Sequence, residues 1–298
     1  MAPARVPLKR WVGRVFQRGD GPEVNYDQPL GDPGLFGPES VTWRIHADFP
    51  GMMAGGVCAL MLQTLHPRAL AGVWDHSNFR TDILGRLRRT TIFVAATTYA
   101  PTAEAERLIA RVRAIHERVV GQDERGQAYA ASDPALLTWV HATEVSSFLN
   151  GYQRYRGVVV PRRLQDRYYA ETSVIAEKLG AVDVPKSAAA MQRYFAAVQG
   201  ELSFGARSAE VLAVLAQMQL PIPVAGVSRH LFLGAGAALL PDWARARMPR
   251  TTMLRLRDEA AARGLYALAP VLRAALRDGI GARSCRRMGL ELAALQHL

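Results

Sequence analysis

Pro161 and Gly180 bracket the segment PRRLQDRYYAETSVIAEKLG, and this pair limits how the chain can fold more than any other feature. Proline suits the opening turn of a helix, where no amide hydrogen is needed, and glycine supplies the left-handed residue on which helices commonly stop. The same punctuation recurs along the chain. Pro50-Gly51 opens a helix expected to run to about Ala71, with Gly72 as its stop, although His66-Pro67 should end or kink it because the residue before proline leaves the α region. Asp82 is placed to cap a helix reaching about Tyr99, before Pro101. Thr102 and Glu104 begin a third, with an apolar stripe at Leu108, Val112, Ile115 and Val119 that ends at Gly121. Ser132-Asp133-Pro134 starts a fourth, carrying Leu136, Leu137, Val140, Thr143, Glu144, Ser147 and Phe148. Further helices are expected near 187–200, 206–219, 223–240, 251–263, 267–278 and 284–296. The segment GQDERGQAYAAS reads as a polar loop, and neither an alternating strand pattern nor an internal repeat is found. The expected class is all-α: one globular helical domain over 41–298, preceded by an irregular Gly- and Pro-rich arm over 1–40.

A chain of 298 residues with 49% hydrophobic content and a mean hydropathy of -0.01 can bury both a core and a cofactor. Its net charge of +11 and pI near 10.2 invite a nucleic-acid reading, yet lysine occurs only at Lys9, Lys178 and Lys186. An arginine bias of that kind reflects coding composition, and no zinc-finger, RNP-type or P-loop pattern accompanies it, so nucleic acid is not an expected partner. Anionic ligands and peripheral membrane contact stay compatible with the charge. Cys58 and Cys285 are too few and too far apart for a disulfide framework or zinc site, which fits a reducing cytoplasm. The basic N-terminus lacks an apolar core and cleavage site, so no secretory signal is expected there. The longest apolar run, Met52 to Leu65, is broken by Gly55, Gly56 and Gln63 and is shorter than the roughly 20 residues a spanning helix needs, so it reads as a buried helix.

Two of the seven histidines, His116 and His141, lie in long helical patterns beside Arg86-Leu87-Arg88-Arg89-Thr90. A buried imidazole with guanidinium groups nearby suits an iron porphyrin, where one nitrogen ligates the metal and the cations neutralise propionates. Val112, Arg113, Val119 and Val120 are the helical neighbours of His116, which sets it beside an apolar stripe, as either a core histidine or a ligand. Arg86 and Arg89, three positions apart, are expected on one face, either solvated or holding an anion. His141, in WVHATEVSSF, fits a core histidine, a pocket residue or the ligand itself, and positions 140, 143, 144 and 147 are expected to share one helix face. For His66 and His76 a structural role is open, with His76 also a candidate for cofactor contact. Asp75-His76-Ser77 does not make a hydrolase, because no nucleophile elbow precedes it and adjacency alone cannot build a triad. The competing metal reading is a non-haem iron site, for which His141 and Glu144 offer H-x-x-E in the order opposite to that of di-iron bundles. Gly234-Ala235-Gly236 lies in a helical stretch with no strand before it, so no nicotinamide or flavin is expected.

The stretches HPRALAGVWDHSNF, LGRLRRT and RVRAIHERVVG resemble those of the latex-clearing protein (rubber oxygenase) and mpaB-type haem oxygenase family. The resemblance spans roughly residues 40–245 and is most specific over 60–150. It implies a globin-like helical core around a haem b pocket, with iron bound by His116 in VRAIHERVVG, or alternatively by His141. It further implies that Arg86, Arg89, Thr90 and Thr143 serve the reaction, the first three as an R-x-x-R-T version of the family's R-x-x-K-T. Arg89 stands where that lysine stands, and arginine cannot deprotonate in practice. The implied activity is oxygenation or oxidative cleavage of an apolar unsaturated small molecule by dioxygen. A non-catalytic haem sensor or carrier is the alternative. The oligomeric state is not implied.

Overall fold

The computed structural model describes residues 24–218, 225–291 and Leu295, with backbone alone at 225–227. Among these residues the class is all-α: thirteen α-helices, one 3-10 turn and one small hairpin. The helices are α1 (Val41–His46), α2 (Phe49–Gln63), α3 (Pro67–His76), α4 (Ile83–Tyr99), α5 (Thr102–His116), α6 (Pro134–Arg156) and α7 (Arg162–Leu179). They continue as α8 (Ala188–Ala197), α9 (Ala206–Gln217), α10 (Ala225–Ala237), α11 (Asp242–Arg247), α12 (Thr252–Ala275) and α13 (Ile280–Arg287). The hairpin is β1 (Val120–Gln122) against β2 (Ala128–Ala130), antiparallel, with Gly121 opposite Tyr129.

Most of the helix boundaries follow from local chemistry. The Asp82 carboxylate accepts from the Gly85 amide at 2.8 Å, Asp133 accepts from Ala135 at 2.9 Å with Pro134 in the first turn, and Gly180 ends α7 at a φ of 110°. Several expectations need correction. The helix opened by Pro50 does not reach Ala71: it stops at Gln63 and restarts at Pro67, as His66-Pro67 predicts, since proline has no amide hydrogen to continue the ladder, and Gly72 lies inside α3. The helix from Thr102 ends on His116 rather than Gly121, and the supposed polar loop forms the hairpin. Asp123 Oδ1 closes its turn by accepting from Arg125 and Gln127, both at 2.9 Å, while Gly126 takes a φ of 74°. Finally, the helices expected at 251–263 and 267–278 are one, α12. Pro270 falls on its exposed side, while Ala262, Leu265 and Ala269 are buried in turn.

The arm read over 1–40 lies outside the described residues up to position 23. From 24 to 40 it is turn-rich and pinned by Arg287, which donates to the Asp32 and Tyr26 carbonyls at 2.8 Å each. The helix expected over 284–296 ends at Arg287, and beyond Glu291 only Leu295 is among the described residues.

At the centre α2 crosses α6 so closely that a Cβ added to Gly55 would stand 2.6 Å from the Ser147 carbonyl. Such an approach brings two backbones into contact and leaves room for hydrogen alone. Asp48 locks the start of α2: it accepts from the Gly51 amide at 3.0 Å and from Arg273 Nε of α12 at 2.5 Å. α10 packs on α2 and α12 on α10, with Tyr155 of α6 donating to the Ala235 carbonyl at 2.6 Å. On the other flank, α1, α6 and α7 share a core of Val41, Ile45, Val145, Leu149, Tyr168 and Tyr169. Among the described residues no helix is long and apolar enough to cross a membrane.

Candidate active site

α4 and α5 are joined by only two residues and pack against each other. Counted outward from that link, Arg86 and His116 each lie about 20 Å along their own helix at ~1.5 Å per residue. α4 itself divides in two. Its last turn, Ala96 to Tyr99, is fully buried, whereas Leu84, Leu87, Ile92 and Val94 are only partly covered, and Arg89, Thr90 and Thr91 are exposed. Apolar side chains left half-covered beside cations form a surface suited to an amphipathic, anionic ligand.

Arg86 and Thr90 continue the stripe of Phe93, Val94 and Thr97 along α4, with Arg89 at its edge. The two arginines do not share a fate, contrary to the expectation from their spacing. Arg86 turns inward, and its Nη1 donates to Ser77 Oγ at 3.3 Å. Among the described residues no carboxylate meets it, and burial together with the adjacent Arg89 pushes its pKa down to about 10. Arg89 points to solvent and pairs with Asp82 at 3.5 Å. The exposed Thr90 donates to the Arg86 carbonyl at 3.2 Å.

Beyond Thr90, the stripe reaches a cavity of about 30 Å³ between α1, α4, α6 and α7, where His46, His141 and Glu144 face Phe93, Val94 and Thr97. That volume suits one water. His141 brings a buried Nε2 with no hydrogen-bond partner, and burial lowers its pKa to about 4, so the ring is neutral near pH 7. His46 is held at both ring nitrogens, by Thr98 Oγ1 at 2.8 Å and the Tyr168 hydroxyl at 2.9 Å, and burial lowers it to about 3. Glu144 has no hydrogen-bond partner among the described residues, and burial raises its carboxyl to about 7.

His116 closes α5 with its Nδ1 buried and unpartnered, and burial lowers its pKa as well. Thr143 does not face the cavity. The cavity takes 141, 144, 145 and 148 of α6, while the Thr143 hydroxyl donates to Val140 and Trp139 carbonyls at 2.8 and 3.0 Å and accepts from Gln63 of α2 at 3.3 Å. His76 is exposed and ties α3 to the hairpin through the Val120 carbonyl at 3.1 Å, away from the cavity lining. His66 caps α3 from a buried position, 3.4 Å from Glu201. Sequence reasoning missed His46 and Tyr168, and it weighed Glu144 only as half of a metal motif. The available signal for Glu144 was a lone carboxylate in the apolar run WVHATEVSSFL, three positions after His141 and on the same face. Among the described residues no three His, Cys, Asp or Glu side chains gather closely enough to hold a metal ion.

The family described as ER-bound oxygenase mpaB/B'/rubber oxygenase, catalytic domain, matches residues 43–274. The chain belongs to this family. The match runs from α1 to the end of α12 and so takes in the α4–α5 pair, the cavity and α6, reaching beyond the stretch where the sequence resemblance was drawn. No curated protein and no solved structure matches the chain. Membership in the mpaB/rubber oxygenase family makes it an oxygenase, an enzyme that joins dioxygen to a small-molecule substrate.

Proposed function

We propose that this oxygenase works with haem b and acts on an apolar unsaturated small molecule. The observation that carries the reading is the donor set on the α4–α5 pair: His116, an imidazole with an unpartnered buried nitrogen, and Arg86, a half-buried guanidinium with no carboxylate partner among the described residues. An axial ligand must be neutral and have a free nitrogen, and a propionate needs a cation not already spoken for. His116 would hold the iron, with His141 as the alternative, and Arg86 would pair with a propionate. A porphyrin exceeds the 30 Å³ cavity, so the half-covered flank of α4 is the surface that would receive it. Haem, when bound, supplies the dioxygen chemistry that side chains lack.

The protein's own groups do the rest. Neutral His46 and His141, with Phe93, Val94 and Phe148, keep the inner end of the site dry. Glu144 is the group there that can hold a proton near neutral pH, and Thr90 offers a hydroxyl at the mouth. Residues 41–298 act as one unit in this reading, and the buried free thiols of Cys58 and Cys285 suit a cytoplasmic setting. The test is to incubate haem-loaded protein with isoprenoids, carotenoids and unsaturated fatty acids under labelled dioxygen. Label is expected in aldehyde, ketone or hydroxylated products, without added nicotinamide or flavin. Products that form equally well without oxygen or without haem would overturn the proposal, and stable haem binding with no turnover on any substrate would favour a carrier.

A further inference from the structure

α12 is apolar on two sides, and only one is covered. Asp258, Ala262, Leu265 and Ala269 face inward toward α10, whereas Met253, Leu256, Leu268 and Val271 are 68%, 61%, 48% and 61% exposed. With Ala260 and Ala267 between them, these four form a continuous outward stripe about 27 Å long at ~1.5 Å per residue. A helix apolar on both sides is ordinarily covered on both.

The charges on α12 are sorted as well. Its two carboxylates turn inward, Asp258 to Arg250 at 2.5 Å and Glu259 to Arg154 at 2.6 Å. Arg257 and Arg263 flank the stripe on either side, exposed and without an ion-pair partner among the described residues. By contrast, the exposed Arg107, Arg162 and Arg167 are each paired with a carboxylate on their own helix. The outward face therefore combines an apolar ridge with positive charge only. In a two-fold contact between copies the same patch meets itself, setting arginine against arginine. An anionic bilayer surface complements it instead: apolar side chains enter the acyl boundary while guanidinium groups meet lipid phosphates. We infer that the outer face of α12 is a peripheral membrane-docking surface for anionic lipid, with the helix lying in the interface rather than spanning it.

The experiment is co-sedimentation of the full chain with phosphatidylcholine vesicles, with and without phosphatidylserine. Two variants confined to exposed positions are tested beside it, Leu256→Ser/Val271→Ser and Arg257→Gln/Arg263→Gln, with circular dichroism as a check on folding. The wild type is expected to pellet with the phosphatidylserine vesicles and to be released by salt. Loss of each arginine should weaken binding roughly fivefold, and the apolar pair should weaken it without changing its salt dependence. Wild-type protein that stays in the supernatant with both vesicles would overturn the inference. Unchanged binding by both variants would overturn it too, by assigning the binding to another part of the chain. A dimer in size-exclusion chromatography that Leu256→Ser/Val271→Ser converts to monomer would give the face to a second copy.

Discussion

The α2–α6 crossing and the α4–α5 pair are built from similar helices and treat their charged groups differently, although α6 too leaves Trp139 Nε1, His141 Nε2 and Ser147 Oγ without partners. In the crossing, glycines bring backbones together, Thr143 and Ser146 bond carbonyls of their own helix, and Asp48 is met by Arg273 and an amide. Around α4 and α5, Arg86 lacks an anion, His116 Nδ1 lacks a partner and apolar side chains stay half-covered. Buried polar groups left unpaired cost stability, and a cation without an anion costs most, so Arg86 beside half-covered apolar side chains invites a partner from outside the chain. In the proposed reading the crossing is the scaffold and the pair is the place for a ligand.

Substitutions that add or remove single atoms should separate the two regions. The largest effect is expected from Gly55→Ala, whose Cβ would lie 2.6 Å from the Ser147 carbonyl and 2.9 Å from Phe148 Cα. Denaturant unfolding should show a loss of about 3 kcal/mol. Its neighbour Gly56 is the control, since a Cβ there meets only Phe148 Cε1 at 3.8 Å. Gly56→Ala should be neutral or stabilising by about 0.5 kcal/mol through the lower entropy of the unfolded chain. Equal losses at both positions would mean that the crossing is not tight.

Glu144→Gln comes next, and its effect depends on pH. The folded carboxyl titrates near 7, above its ordinary value of 4.5, so between those values the folded state holds a proton that the unfolded state has released. Glu144 therefore costs stability as pH rises through that window, and the cost is complete above about 7. The glutamine variant should be more stable by on the order of 1–3 kcal/mol at pH 8, with the gain vanishing toward pH 4.5. A gain of the same size at both pH values would show that Glu144 is ionised throughout.

The smallest stability effect is expected at Arg86. Arg86→Met removes a cation with no carboxylate to lose, so unfolding free energy should change by no more than about 0.5 kcal/mol, while haem affinity should fall. A large destabilisation would place Arg86 in the scaffold instead.

How much of this was legible in the chain depends on the range of the interaction. Caps such as Asp82, Asp133 and Gly180 act within four residues and can be read directly, as could the half-apolar setting of His116. The hairpin was missed because its pairing rests on one aspartate folding its own turn, with too few residues to show alternation. The helices expected at 251–263 and 267–278 are one because the inward row of Asp258, Ala262, Leu265 and Ala269 runs unbroken across 264–266, a tertiary fact. Thr143 was placed on the wrong face by helical spacing, which tells which residues are neighbours but not which way the helix is rotated toward α2. The isolation of Glu144 and the lack of an anion at Arg86 are statements about what is absent nearby, and no local pattern records an absence.

The central claim is that the unpartnered groups of α4 and α5 await haem, and the most direct measurement is a haem titration followed at the Soret band for the wild type, His116→Ala and His141→Ala, each checked for folding. One haem per chain is expected in the wild type, with loss of most Soret intensity in His116→Ala and near wild-type binding in His141→Ala. A wild-type spectrum from folded His116→Ala, or loss of the band in His141→Ala alone, would contradict the claim.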